Sequence, residues 1–226
     1  MLYGAKSAKQ YAEVAAIFYK QFDSLTKDKR MIMFYRKLMI GGNLPNLSFQ
    51  TFFVSREQSN SPLVSEMMRI GKNFKEQGLL KDVTGIISSG YGKRMIIPGN
   101  DFKLDELKRG DFLEIIDYNP VKKIVLAIGR NQPCIETPVH WLIHHARDDA
   151  NAIIQLNGEN VIKKLSKKFP VTEKECPPGT LDLAKEILKL LRTNKNIIIK
   201  DTGALFVGAN IKEVENSVLK ALGEPQ

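Results

Sequence analysis

Cysteine is scarce in this sequence, which has two among its 226 residues. Cys134 and Cys176 are too few for a disulfide scaffold, and their spacing fits neither a zinc ribbon nor a redox pair. The sequence also has no run of about 18 consecutive apolar residues and no charged leader followed by an apolar stretch. We therefore expect a cytoplasmic protein that is neither exported nor inserted in a membrane.

Phosphate-binding loops are missing as well. No segment matches the Walker pattern Gly-x-x-x-x-Gly-Lys-Ser/Thr, and the Gly-x-Gly at 90–92 precedes a predicted strand rather than a helix. Nucleotide binding through these motifs is therefore disfavoured. The surrounding stretch 88–94 carries hydroxyls and two cations, Lys93 and Arg94, which suit a phosphate or carboxylate. Such a stretch is more often a solvated hairpin turn.

Basic residues are present in excess and are unevenly placed. The formal net charge is +9, and residues 1–60 hold nine Lys and Arg against four Asp and Glu. Apolar residues at helical spacing predict helices over 8–22 and 29–40, so we expect a basic helical extension over 1–60 and a second domain over 61–226. The extension could bind nucleic acid, but it lacks a recognition-helix pattern, and protein docking or oligomer contacts explain its charge equally well.

Beyond residue 60 the sequence predicts short strands and amphipathic helices, separated by turn signals. Helices are predicted over 63–77, 137–147, 181–191 and 211–222. Strands are predicted over 83–88, 94–97, 112–118, 123–128, 152–156, 197–199 and 204–207. The pattern indicates an α/β (α+β-type) fold with a mostly antiparallel central sheet flanked by helices.

All three histidines fall within six residues, at His140, His144 and His145. Helical spacing of four places Glu136, His140 and His144 on one face, and a carboxylate with two imidazoles can hold a metal ion. A single helix face rarely supplies every ligand. Glu136 is also suited to complement the positive end of the helix dipole, because it stands at the predicted helix start.

The order of these signals resembles the class II aldolase/adducin family, over residues 62–222. The resemblance is carried by a helix followed by 83–88, the turn at 95–99, the segment 133–136 before the histidine helix, the run 147–154, and 201–203 before 207–208. Fuculose-phosphate aldolase and the adducin head are members of this family. The resemblance implies a three-layer fold and a homo-oligomer, often a four-fold tetramer with pockets between subunits.

The resemblance also implies a zinc ion held by three histidines, which polarises a carbonyl while a glutamate moves protons. The three positions that correspond to those histidines are Gln155, Asn157 and Thr202 in this sequence. Amide and hydroxyl oxygens are weak zinc ligands, so we expect no zinc there and no other cofactor. Glu136 stands at the position of the catalytic glutamate.

The phosphate-binding positions of the family are changed too. Its Gly-Asn pair reads Gly85-Ile86 here, and its paired serines read Cys134-Ile135. An isoleucine side chain cannot donate a hydrogen bond to phosphate. The resemblance therefore points to a family member that has lost part of the family's phosphate-binding groups.

Three functional hypotheses follow. The leading one is a non-catalytic or catalytically divergent member, a pseudoenzyme that binds a small polar or anionic ligand or a protein partner. Its expected pocket residues are Glu136, Ser88, Lys93, Arg94, Gln155, Asn157 and Thr202.

The second hypothesis is a carbon–carbon lyase or isomerase of a small sugar phosphate. In it Glu136 is the acid/base, and Lys93, Arg94 or a metal site at His140 and His144 replaces the lost groups. Zinc or another divalent metal is expected only here. The third is a nucleic-acid-associated protein that acts through residues 1–60.

Overall fold

Eight strands form the central sheet of the computed structural model, which describes residues 49–223. The strands are β1 (Gln50–Ser55), β2 (Thr84–Tyr91), β3 (Arg94–Pro98), β4 (Phe112–Asn119), β5 (Ile124–Ile128), β6 (Ala152–Asn157), β7 (Asn196–Ile199) and β8 (Gly203–Gly208). Their order across the sheet is β1-β5-β4-β3-β2-β6-β8-β7. Among these eight strands only β1 and β5 pair in parallel, so the mostly antiparallel sheet is confirmed.

Helices cover both faces of this sheet. Those in the described residues are α1 (Leu63–Glu76), α2 (Thr137–Ala146), α3 (Glu159–Leu165), α4 (Leu181–Leu191) and α5 (Ile211–Leu222). One apolar core joins α1, α3 and α5 to Ile154 of β6, and another joins α2 and α4 to Ile153. Because successive strand residues point to opposite faces, β6 contributes to both layers. The three-layer arrangement that the resemblance implied is confirmed. None of the helices in 49–223 has the length and apolarity needed to cross a membrane.

The helix boundaries follow the capping signals in the sequence. Gly78, with φ of 71°, lies just beyond the end of α1. The Thr180 hydroxyl accepts a hydrogen bond from the backbone amide of Leu183 at 3.2 Å and caps α4. Helix α3 was not predicted, because its seven residues include only two buried apolar side chains, Val161 and Leu165, too few to show a helical period.

The N-terminal side of the sheet extends into the predicted extension. The helices predicted over 8–22 and 29–40 lie outside the described residues. Strand β1, however, precedes the predicted boundary at residue 60 and pairs with β5. The Ser59 hydroxyl also donates to the buried Glu114 carboxylate at 2.7 Å. Residues 50–60 are therefore part of the sheet domain, although the sequence of this tract predicts an irregular connection with one short strand.

Candidate functional site

A buried serine links two histidines of α2. Ser88 lies on β2 with no exposed surface, and its Oγ is 2.8 Å from His140 Nδ1 and 2.9 Å from His144 Nε2. The two imidazoles stand one helical turn apart and both contact the same hydroxyl, so the shared helix face that their spacing predicted is confirmed. This face of α2 lies against the sheet.

Polar groups extend this serine–histidine contact in both directions. On β6, Gln155 Oε1 lies 3.4 Å from His140 Nε2, and Gln155 Nε2 lies 2.9 Å from Asn157 Oδ1. At the other end, His144 Nδ1 lies 2.5 Å from the carbonyl oxygen of Ala150. A continuous row of hydrogen-bonding groups therefore runs from β6 to the end of α2.

Glu136 places a carboxyl group beside this row. The residue is only 4% exposed, and burial raises the pKa of its carboxyl to about 7, although hydrogen bonds from the Gly179 amide and the Gln155 side chain favour the charged form. Its Oε2 atom is buried and has no hydrogen-bond partner. Glu136 occupies the N-cap position of α2, but its side chain makes no capping hydrogen bond. The carboxyl contacts Gly179 and Gln155 instead.

The buried histidines are neutral near pH 7. Burial lowers the pKa of His140 to about 3 and that of His144 to about 4, since a charged imidazole loses its hydration there. Both ring nitrogens of each histidine already face a polar partner. This arrangement leaves neither ring a free nitrogen for a metal ion.

The residues at the family's zinc positions do not fit that ion. Gln155 and Asn157 bond each other, and the Thr202 hydroxyl donates to a main-chain carbonyl at 3.3 Å in the turn between β7 and β8. Amide and hydroxyl oxygens are also poor zinc ligands. Within residues 49–223, no group of three His, Cys, Asp or Glu side chains is arranged to hold a metal ion.

The two cations predicted for the pocket lie elsewhere. Arg94 forms an ion pair with Glu114 of β4, which lies on the opposite face of the sheet from Ser88. Lys93 is exposed at the tip of the hairpin between β2 and β3. The structure therefore brings Ser88 together with Glu136, Gln155 and Asn157, but it leaves both cations outside that group.

Sequence reasoning missed two backbone partners of the site. Ala150 supplies a carbonyl oxygen to His144, and Gly179 supplies an amide to Glu136. The sequence pattern marks Gly179 only as the start of α4. Its φ of 69° and the 2.2 Å that would separate an added Cβ from the Ile135 carbonyl oxygen show that this close approach requires a glycine.

Comparison with known proteins supports the resemblance. Residues 65–162 match the model of the Class II Aldolase and Adducin N-terminal domain family. An L-fuculose 1-phosphate aldolase structure superposes with a TM-score of 0.59 at 22% identity, covering 75% of this chain and 91% of that one. The L-fuculose-1-phosphate aldolase of Thermus thermophilus has a TM-score of 0.56 at 20% identity, covering 71% and 86%.

A third solved structure has the same fold. The sugar-phosphate aldolase of Thermotoga maritima superposes with a TM-score of 0.58 at 15% identity, covering 71% of this chain and 90% of that one. The search of curated proteins found no match. At these identities the likeness shows the fold.

Proposed function

We propose that this protein is a divergent member of the class II aldolase/adducin family that binds a small polar ligand. The match of residues 65–162 to the model of the Class II Aldolase and Adducin N-terminal domain supports this proposal. The binding groups are Glu136, Gln155 and Asn157. The observation that carries the proposal is the buried, unpartnered Oε2 of Glu136. Buried polar atoms are nearly always hydrogen-bonded, so this oxygen is suited to accept a hydrogen bond from a ligand hydroxyl.

Loss of the zinc ligands favours binding over the family reaction. A metal ion supplies the charge that stabilises an enediolate. Here the positions that would hold it are occupied by Gln155, Asn157 and Thr202, whose amide and hydroxyl oxygens are weak zinc ligands. The cations Lys93 and Arg94 are also outside the group around Glu136. A ligand held there is therefore recognised by neutral hydrogen-bonding groups.

A binding measurement tests this proposal. Glycerol, L-fuculose and L-fuculose 1-phosphate would each be titrated into the full chain, with binding followed by ligand-observed NMR. We expect a hydroxylated compound to bind, and Glu136→Ala to weaken that binding by about tenfold, or about 1.4 kcal/mol, because it removes the unpartnered acceptor oxygen. The matched control is Glu175→Ala, which truncates an exposed glutamate. Equal affinity in Glu136→Ala, or no binding of any compound, would contradict the proposal.

A second candidate function is a lyase or isomerase of a small sugar phosphate. It is favoured by the pKa of Glu136, raised to about 7, because an acid/base group works best when its pKa lies near the operating pH. The test is incubation of L-fuculose 1-phosphate with the full chain in D2O. Cleavage, or exchange of the hydrogen next to the carbonyl, should appear with wild type and disappear with Glu136→Gln. An inert substrate would leave binding as the function.

We also propose that the chain forms a homo-oligomer, with a tetramer as the specific expectation. The support is its fold, which it shares with the sugar-phosphate aldolases compared above. Light scattering of the purified full chain measures the mass directly. A monomer at micromolar concentration would contradict this expectation.

A further inference from the structure

The hydrogen bonds from Ala150 to His140 run in one direction. The carbonyl oxygen of Ala150 can only accept, so His144 carries a proton on Nδ1. His144 Nε2 of the neutral ring then accepts the single hydroxyl proton of Ser88. The oxygen of Ser88 in turn accepts from Nδ1 of His140. Two neutral imidazoles in this row therefore both carry their proton on Nδ1.

The end of the row fixes the orientation of the Gln155 amide. With its proton on Nδ1, His140 presents an unprotonated Nε2 to that amide. Only the NH2 group of the amide can donate to this nitrogen. Which end of an amide is oxygen and which is nitrogen is assigned from such hydrogen bonds. The structure as it stands has Gln155 Oε1 toward His140 and Nε2 toward Asn157 and Glu136, so the histidine tautomers require the two ends of this amide to be exchanged. After the exchange the amide oxygen faces Glu136, and the Asn157 amide turns to donate to it. An amide oxygen can bond a carboxyl group only when the carboxyl carries a proton.

An ionised Glu136 needs the opposite arrangement. The NH2 group of Gln155 then donates to the carboxylate, and its oxygen requires a proton on Nε2 of His140. His144 must still carry a proton on Nδ1 to donate to the Ala150 carbonyl oxygen. Because Ser88 has a single hydroxyl proton to share between the two rings, one of the two buried imidazoles must then carry a second proton and be charged. The first arrangement has a protonated Glu136 and two neutral imidazoles, and the second has an ionised Glu136 and one charged imidazole. In both, these three side chains hold one more proton than an ionised Glu136 with two neutral imidazoles would hold.

We propose that Gln155 and the His140–Ser88–His144 row are positioning groups that hold a proton on Glu136 in the ligand-free protein. The consequence for specificity rests on the proposed function. A neutral carboxyl accepts a hydroxyl through Oε2 but offers no counter-charge to an ammonium group. The site therefore selects uncharged hydroxylated ligands over amines.

Two further titratable groups act on these residues. Cys134 lies near Glu136, and burial raises the pKa of its thiol to about 12, so it is neutral. His145 lies beside His144 on α2, and its Nδ1 is 2.9 Å from the carbonyl oxygen of Trp141. The neutral thiol of Cys134 supplies no charge that would replace the proton on Glu136.

NMR of the ligand-free full chain tests the inference. Histidine labelled with 15N reports the tautomer of each ring, and glutamate labelled with 13C reports the ionisation of each carboxyl. We expect both His140 and His144 to be neutral with the proton on Nδ1, and Glu136 to titrate with a pKa of about 7. A neutral ring protonated on Nε2, or a Glu136 carboxyl that titrates in the ordinary acidic range, would overturn the inference.

Ser88→Ala separates positioning from a purely structural role. Without the hydroxyl, His140 is free to carry its proton on Nε2 and to donate to Gln155, whose NH2 group then turns to the Glu136 carboxylate. The proton affinity of Glu136 should fall by about tenfold, which is a fall of about one in its pKa. Ser89→Ala is the matched control, because it removes the neighbouring hydroxyl from the opposite face, where Ser89 donates to the Asn151 carbonyl at 3.1 Å.

An unchanged Glu136 titration in Ser88→Ala, or an equal fall in Ser89→Ala, would overturn the inference. The wild-type tautomers decide the question if Ser88→Ala does not fold. No ligand enters these measurements, so a ligand panel that fails while the NMR result holds would refute the proposed function alone.

Discussion

Glu114 is a buried carboxylate whose charge is compensated by Arg94, and its side chain is 8% exposed against 19% for the arginine. Arg94→Ala leaves this charge unpaired inside the protein, so we expect a loss of about 3 to 5 kcal/mol in the free energy of unfolding. Urea denaturation measures it. The control is Lys103→Ala, which breaks a pair whose side chains are 72% and 58% exposed and should cost at most about 1 kcal/mol. Losses of equal size would contradict the structural role of the buried pair.

Residue spacing alone predicts the candidate site only where its residues are close in sequence, whereas the grouping of Glu136 with Gln155 and Asn157 was implied by the family resemblance. Helical spacing correctly placed His140 and His144 on one face, because that spacing is a local property of α2. The contact with Ser88 crosses 52 residues and depends on which strand lies beneath the helix. Arg94 was misplaced for the same reason. The face of the sheet on which it lies follows from strand register, which the sequence pattern did not specify.

At the scale of elements, the turn before α4 controls the start of α2. Gly179→Ala would combine a φ of 69° with a Cβ placed 2.2 Å from the Ile135 carbonyl oxygen, so the backbone must move. We expect a larger loss of unfolding free energy than in Gly92→Ala, where φ is 62° and nothing lies within 4 Å of the added Cβ. The control change should cost about 1 to 2 kcal/mol.

The same glycine variant has a second readout at the site. Moving the Gly179 amide away from Glu136 removes a hydrogen bond that favours the carboxylate, so the pKa of Glu136 should rise. Carboxyl 13C NMR measures this pKa in Gly179→Ala and Gly92→Ala. A pKa that responds equally to both changes would show that the Gly179 amide has no specific effect.

Elements with strong periodic patterns were predicted, and weak ones were not. Helices α1, α4 and α5 show regular apolar faces and clear end signals, and their predicted bounds lie within one or two residues of the observed ones. The sequence predicts one short strand in the tract that holds β1 but not its pairing, because its partner β5 lies about seventy residues later in the chain. Its place in the sheet is a tertiary property.

At the scale of the whole molecule, Glu136 links stability to pH. Burial raises the pKa of its carboxyl from an ordinary value of 4.5 to about 7, so the folded protein binds this proton more tightly than the unfolded chain. Ionisation therefore costs stability as the pH rises through this range. Glu136→Gln has no carboxyl group to ionise. Its free energy of unfolding relative to wild type should therefore rise by up to about 3 kcal/mol from acid to neutral pH.

Denaturation of both proteins between about pH 4 and pH 8 checks this prediction. The buried histidines have lowered pKa values and lose stability as the pH falls, but they are present in both proteins and cancel in the difference. Glu175→Gln, at an exposed position, is measured over the same range as the control. A difference between Glu136→Gln and wild type that does not change with pH, or that changes no more than in Glu175→Gln, would contradict the raised pKa.

The basic surplus of residues 1–60 gives a separate prediction for the whole chain. If this segment contacts nucleic acid, binding to a short RNA duplex should weaken steeply with added salt, because each phosphate contact releases counterions. Removal of residues 1–48 tests this while β1 is kept, and fluorescence anisotropy measures the affinity. Binding that survives the truncation would dismiss the hypothesis.

The strand order determines when the site can assemble during synthesis. Strand β6 lies between β2 and β8, so its second neighbour, residues 203–208, follows it by some fifty residues of chain. The partners of Glu136 likewise come from β6 and from Gly179. Such distant pairings are slow to form, because the intervening chain must lose conformational entropy to close a loop before the stabilising contacts are made. On the ribosome, the buried carboxyl and histidines therefore remain hydrated until nearly the whole domain has emerged.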